Sequence, residues 1–134
     1  MNRISILLTV PVLFSGAAIA ADTSGLPHAL DAGWQGTKTC EVLFEDDSVI
    51  VGRCDFPPGV GHEKHYHNPH FGYVLQGSTL KIIDDDGEEV LETTTGDNWS
   101  TDEVTVHQAL NVGDITTSYL LVEPKPQKTA EASD

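Results

Sequence analysis

Basic residues are scarce in this chain. Seven Lys and Arg stand against 21 Asp and Glu, giving a formal charge of −14 over 134 residues. Such a surface repels phosphate backbones and anionic lipid headgroups, so nucleic acid and polybasic membrane docking are excluded as partners. Helical periodicity is also missing. From Trp34 to Val122 no segment repeats apolar residues at helical spacing over a useful length, which excludes a helical bundle. There is no internal repeat and no low-complexity stretch. Cysteine is limited to Cys40 and Cys54. Without a CxxC or a second cysteine pair, a thiolate zinc site is disfavoured.

The only long apolar run lies at the start. Arg3 is a short basic region, Ile4 to Phe14 is mostly apolar with Thr9 and Pro11 interrupting, and Ala18-Ile19-Ala20 is a small-x-small cleavage site. The pattern predicts a secretory signal over residues 1–20, cleaved before Ala21. A retained anchor would need roughly 20 apolar residues, and this run is shorter. The expected location is periplasmic or secreted, with no membrane contact after cleavage. In an oxidising compartment an even cysteine count suggests a disulfide. Lys38–Glu45 and Val49–Phe56 read as strands, with turn chemistry in Asp46-Asp47-Ser48. If Glu45 pairs with Val49, Cys40 falls opposite Cys54. Two buried free thiols are the alternative.

Twelve Gly and seven Pro punctuate the rest. Ala21 to Gly33 is polar and Gly/Pro-rich, and is expected to be a flexible segment. Short strands are expected at His65–His67, Phe71–Gln76, Thr79–Ile83, Glu89–Thr94, Asn98–Thr101, Thr105–Leu110 and Ile115–Val122. Turn residues separate them, most clearly Asp84-Asp85-Asp86-Gly87. Residues 34–122 therefore read as one all-β domain, an antiparallel two-sheet barrel that buries one face of each strand. The tail 123–134 has Pro and charge but almost no apolar side chains, and is expected to be disordered.

Four of the six histidines fall in GHEKHYHNPH, residues 61–70. His65 and His67 share a strand face by period-two alternation, about 7 Å apart along the strand. Both can reach one metal placed between them, and imidazole suits Zn, Cu, Fe and Ni. His62 has the wrong parity and reads as surface. His28, in the flexible start, has no assigned role.

The stretch PGVGHEKHYHNPHFGYVLQG resembles the first motif of the cupin superfamily: Gly59, five residues, His65-Tyr66-His67, and a closing Gly77 after Tyr73-Val74-Leu75. Gly96, His107 and Asn111 fall at the spacings of the second motif. The resemblance covers Val51 to Val122 and implies a small jelly-roll barrel. It departs from the pattern at His70, where the family usually has Glu, in a gap one residue short after His67, and at Asp102 and Val104, where Pro and Gly are usual.

By resemblance, His65, His67 and His107 bind one divalent metal (Fe, Mn, Ni, Zn or Cu). His70 is either a fourth ligand or a neighbour. Four neutral imidazoles would leave the ion its full charge, favouring anionic or enolate-like ligands. Glu63 shares parity with His65 and is a candidate base or substitute ligand, or simply solvated. Gly72 leaves room beside the metal. Trp99 walls a pocket or fills the barrel, Tyr66 and Tyr73 face outward, and Asn111 fixes the turn after the ligand strand. The resemblance allows dioxygenase, isomerase, lyase or decarboxylase chemistry on a small oxygenated molecule. The rivals are a non-catalytic binding protein and a metal-free structural cupin. Pairing of edge strands into a homodimer is also compatible with the resemblance.

Overall fold

The computed structural model describes residues 20–126; the expected signal falls almost wholly outside them, as does the tail from 127 onward. Among the described residues eleven strands form, in the order β1 (Gly33–Trp34), β2 (Thr37–Lys38), β3 (Cys40–Glu45), β4 (Val49–Phe56), β5 (Gly61–His67), β6 (His70–Gln76), β7 (Thr79–Asp84), β8 (Gly87–Glu92), β9 (Asn98–Thr101), β10 (Thr105–Asn111) and β11 (Thr117–Pro124). A small β1-β2 hairpin precedes two antiparallel sheets. One runs β5-β10-β7-β8 and the other β3-β4-β11-β6-β9. This is the all-β antiparallel two-sheet arrangement expected from the strand spacing, and the jelly roll that the resemblance implies. Its interior is filled by Cys40, Cys54, Phe56, Leu80, Ala109, Tyr119 and Leu121, contributed by both sheets.

Cys40 and Cys54 are joined by a disulfide. The register that achieves this differs from the simplest hairpin. Glu45 pairs with Ile50 rather than Val49, and a shift between Val42 and Phe44 restores Cys40 opposite Cys54. A bulge thus absorbs the longer turn. Both cysteines belong to the buried cluster. Replacing both with Ser is expected to cost about 3 kcal/mol, from a closed loop of roughly 15 residues. Urea unfolding checks this, and a loss under about 1 kcal/mol would show that the bridge adds little beyond its packing.

The segment 21–33 is not loose throughout. Ala29, Leu30 and Ala32 are buried. The Ala29 N–H donates to the Tyr66 carbonyl at 2.9 Å, and the Tyr66 N–H donates to the Pro27 carbonyl at 3.1 Å. The segment therefore hydrogen-bonds to β5, an outer strand of its sheet. Gly52 makes room for it: a Cβ there would meet Leu30 Cδ2 at 2.2 Å. Two or three apolar residues suffice because they seat in a preformed gap, something composition does not reveal.

The domain's far boundary also moves. Glu123 and Pro124 belong to β11, paired with Ile50 and Val49, and Glu123 is only 2% exposed. Beyond them the Lys125 N–H donates to the Ser48 carbonyl at 2.8 Å. Asn111, the last residue of the His107 strand, is wholly buried. Its Nδ2 donates to the carbonyls of Phe56 and Ile115, both at 2.7 Å, while its Oδ1 accepts from Ser78 Oγ and the Gly113 N–H. These four bonds fix the β10–β11 turn.

Candidate metal centre

β5 and β10 run side by side with His107 paired to His65. Strand alternation then turns His65 and His67 to the same side, toward His107. A metal-capable group forms from His65, His67 and His107, one ring nitrogen of each lying within 4.8 Å of the others. The ring of His107 lies 4.7 Å from that of His65 and 5.0 Å from that of His67. His65 Nδ1–H donates to the Glu63 carbonyl at 2.6 Å, so its Nε2 carries the lone pair. That Nε2 lies 2.8 Å from the Nε2 of His67. Two nitrogens each about 2.1 Å from one ion sit roughly 3 Å apart, so the pair suits chelation.

The cluster is dry. His65 is 0% exposed and His67 2%. Burial, reinforced by repulsion between neighbouring imidazoles, lowers the pKa of His67 and of His107 to about 4 and that of His65 well below its ordinary value. At neutral pH all three are uncharged, the state a metal requires. On donor type, protonation and spacing, the residues fit a divalent ion of the imidazole-binding class.

His70 sits apart from this trio. Its ring centroid is 4.6 Å from that of His67, but both its nitrogens are engaged. Nδ1–H donates to the Asn68 carbonyl at 2.8 Å, and Nε2 accepts from Trp99 Nε1–H at 3.1 Å. His70 groups instead with His67 and Glu123. Joining the other three as a ligand would require breaking the Trp99 bond.

Trp99 reaches His70 because β9 pairs with β6, Trp99 opposite Gly72. A Cβ on Gly72 would meet the indole at 2.1 Å. Gly72 therefore makes room for Trp99, and it does not itself line the cavity. That cavity, about 240 Å³, is bounded on one side by His67, His70 and His107. Phe56, Leu80, Ile82, Trp99 and Tyr119 form much of the remaining wall.

Glu63 takes the solvated alternative, whereas His62 and His28 depart from their expected places. Glu63 is exposed, and its Oε1 accepts the Gln35 N–H at 2.9 Å, so it points away from the imidazoles despite its parity. His62 is wholly buried rather than on the surface. The register of β5 against β10 slips between His107 and Ala109, which pairs Ala109 with His62 and breaks strict alternation. The His62 ring lies against that of His65, tilted by 38° with centroids 3.9 Å apart, and its Nε2 lies 3.7 Å from Cys40 Sγ. His28, given no role from sequence, contacts Glu123 at 2.6 Å through Nε2. Glu123 itself was hidden in the expected tail. Its signal was the alternation Tyr119, Leu121, Glu123, which puts a carboxylate at an inward position of β11.

The family model of the cupin domain, Cupin_2, matches residues 52–123, and the chain belongs to the cupin family. No curated protein matches it. Among solved structures it is similar to a cupin domain from Bordetella pertussis Tohama I (22% identity, TM-score 0.62, covering 65% of this chain and 92% of that one). It is also similar to the polyketide cyclase RemF from Streptomyces resistomycificus (17% identity, TM-score 0.56, 81% and 80% covered). A cupin superfamily protein from Desulfitobacterium hafniense DCB-2 aligns at 16% identity with TM-score 0.50, covering 63% of this chain and 74% of that one. At these identities the likeness is one of fold.

Proposed function

We propose that this is an exported mononuclear metal cupin acting on a small oxygenated organic molecule. The observation that carries the reading is the convergence of three neutral imidazoles, His65, His67 and His107, beside a largely apolar cavity. A bound divalent ion would act as a Lewis acid toward a ligand oxygen. The chain supplies the rest. Phe56, Leu80, Ile82 and Tyr119 exclude water from the ligand's body, and the Trp99–His70 hydrogen bond holds one wall in place. Among the described residues no Lys or Arg lines the cavity. A negative charge on the ligand would therefore have to sit at the metal, with the remainder of the ligand apolar. The Cys40–Cys54 bridge supports an oxidising compartment.

A non-catalytic binding protein is the second reading, and the cavity wall favours it in one respect. Among the described residues no carboxylate lines the cavity, and burial holds the Tyr119 phenol protonated well above its ordinary range. Glu63, the candidate base, faces away.

Metal analysis of tag-free protein, followed by oxygen-uptake and product assays with β-dicarbonyl and hydroxy-acid compounds, tests both readings. One equivalent of metal with turnover is expected for the enzyme. One equivalent with ligand binding and no turnover selects the binding protein. Absence of stoichiometric metal after both aerobic and anaerobic preparation overturns both.

A further inference from the structure

Glu123 is a carboxylate at an inward position, and such a group is costly to bury unless it is paired. Its two oxygens are treated unequally. Oε2 accepts from His28 Nε2–H at 2.6 Å and from Asn68 Nδ2 at 3.3 Å. The donor role of His28 follows from its other nitrogen, since Nδ1 accepts the Leu30 N–H at 3.2 Å. Oε1 has no hydrogen-bond partner among the described residues. It faces His67 Nδ1 at 3.7 Å, and that nitrogen also lacks a partner. Two orphaned, buried polar atoms thus look at each other across slightly more than a hydrogen-bond length.

The far side of His67 explains why this matters. Its Nε2 and the Nε2 of His65 are 2.8 Å apart, so the pair must share either a proton or a metal ion. His65 has already committed its proton to the Glu63 carbonyl. A shared proton can therefore come only from His67 Nε2. Chelation requires that proton to leave Nε2, and in a neutral ring it must then reside on Nδ1. The acceptor waiting on that side is Glu123 Oε1.

Resting on the three-imidazole reading above, we propose that Glu123 is a positioning residue for the metal centre. It accepts the Nδ1 proton of His67 and so presents Nε2 as a ligand. His28 orients it from the N-terminal segment by occupying the opposite oxygen. The strap at residues 27–30 is then part of the metal site and not merely a cover. Its main-chain bonds to Tyr66, between the two ligands of β5, tie both to one element.

The test is metal titration of the full mature chain with Co(II) and Zn(II), each variant first checked for a native amide spectrum. Wild type should bind one equivalent. Glu123→Leu should weaken binding roughly 10- to 100-fold. His28→Leu should weaken it in the same direction, whereas His28→Gln, which keeps a donor, should recover most of the loss. The readout that a packing role would not move is the His67 tautomer. In the Zn(II) form, ¹⁵N-resolved ring spectra should place the proton on Nδ1 in wild type, hydrogen-bonded, with that bond lost in Glu123→Leu. Glu123→Leu with wild-type affinity and an unchanged Nδ1–H signal overturns the proposal. A second equivalent bound by wild type and missing in Glu123→Leu also overturns it, by making Glu123 a ligand together with His67 and His70. If wild type binds no metal, the three-imidazole reading fails first and this proposal falls with it. One equivalent in wild type with no effect of the variants sinks the positioning role alone.

Discussion

His65→Ala and His107→Ala are each expected to lose metal affinity on the order of 100-fold, and His70→Ala by no more than about threefold. The first figure follows from apparent zinc-binding energies of about 10–16 kcal/mol shared among four ligands, or roughly 3 kcal/mol each. The second follows from geometry. His65 and His107 belong to one convergent nitrogen cluster, while both nitrogens of His70 are taken up by Asn68 and Trp99. His70→Ala should instead act on the cavity. Without the acceptor for its Nε1–H, Trp99, already 39% exposed, is freed to change its orientation, and tryptophan fluorescence should report it. Chelator-competition titrations of the three variants against wild type decide the ligand count. Equal losses for all three would establish four-imidazole ligation and sink the three-imidazole arrangement.

Much of this centre was legible in the residues because it depends on local periodicity. The His65-Tyr66-His67 alternation needs only a strand to put two imidazoles on one face, and the strand forms. Cys40 and Cys54 found each other from two flanking strands and a turn. Their pairing survived a one-residue slip in the expected register because Leu43 bulges out to compensate. What could not be read was whatever turned on irregularity or on contacts distant in sequence. The parity rule put His62 outside, and a slip in β5–β10 pairing turned it inward; the same slip turns Glu63 away from the ligands and leaves it the solvated carboxylate that was one of its two readings. His28 and Glu123, 95 residues apart, meet because the N-terminal segment folds back along β5 near the end of β11. Neither stretch has the composition of an ordered element. A few buried side chains in each, seated against a finished barrel, hold what average hydropathy would leave loose.

Acid should unfold this protein early, and its histidines set the window. Burial, with repulsion among the rings, holds His62, His67 and His107 at about 4, against an ordinary value of 6.5, and His65 lower still. Between pH 6.5 and about 4 the unfolded chain takes up protons that the native rings refuse. More protons are then bound in the unfolded state, so stability rises with pH across this interval and is lost as pH falls. Each such ring adds a slope of up to about 1.4 kcal/mol per pH unit. Glu123 extends the loss further down. Although burial opposes its ionisation, the hydrogen bond from His28 and the approach of His67 hold it at about 2, below its ordinary 4.5. His28 works the other way: the same bond raises its pKa, so its contribution is present at low pH and fades as pH climbs. Four lowered rings outweigh one raised ring. In a chelator the urea midpoint should therefore fall steadily from pH 7 to pH 4.5. His62→Phe, which removes a buried ring that is not in the chelating trio, should flatten the curve. Added Zn(II) should hold the midpoint up at pH 7 and lose that advantage on acidification, because protons and metal compete for the same lone pairs. A midpoint that stays level from pH 7 to pH 5 in chelator would mean that the rings are hydrated enough to titrate normally, and the largely buried, neutral cluster on which chelation depends would have to be given up.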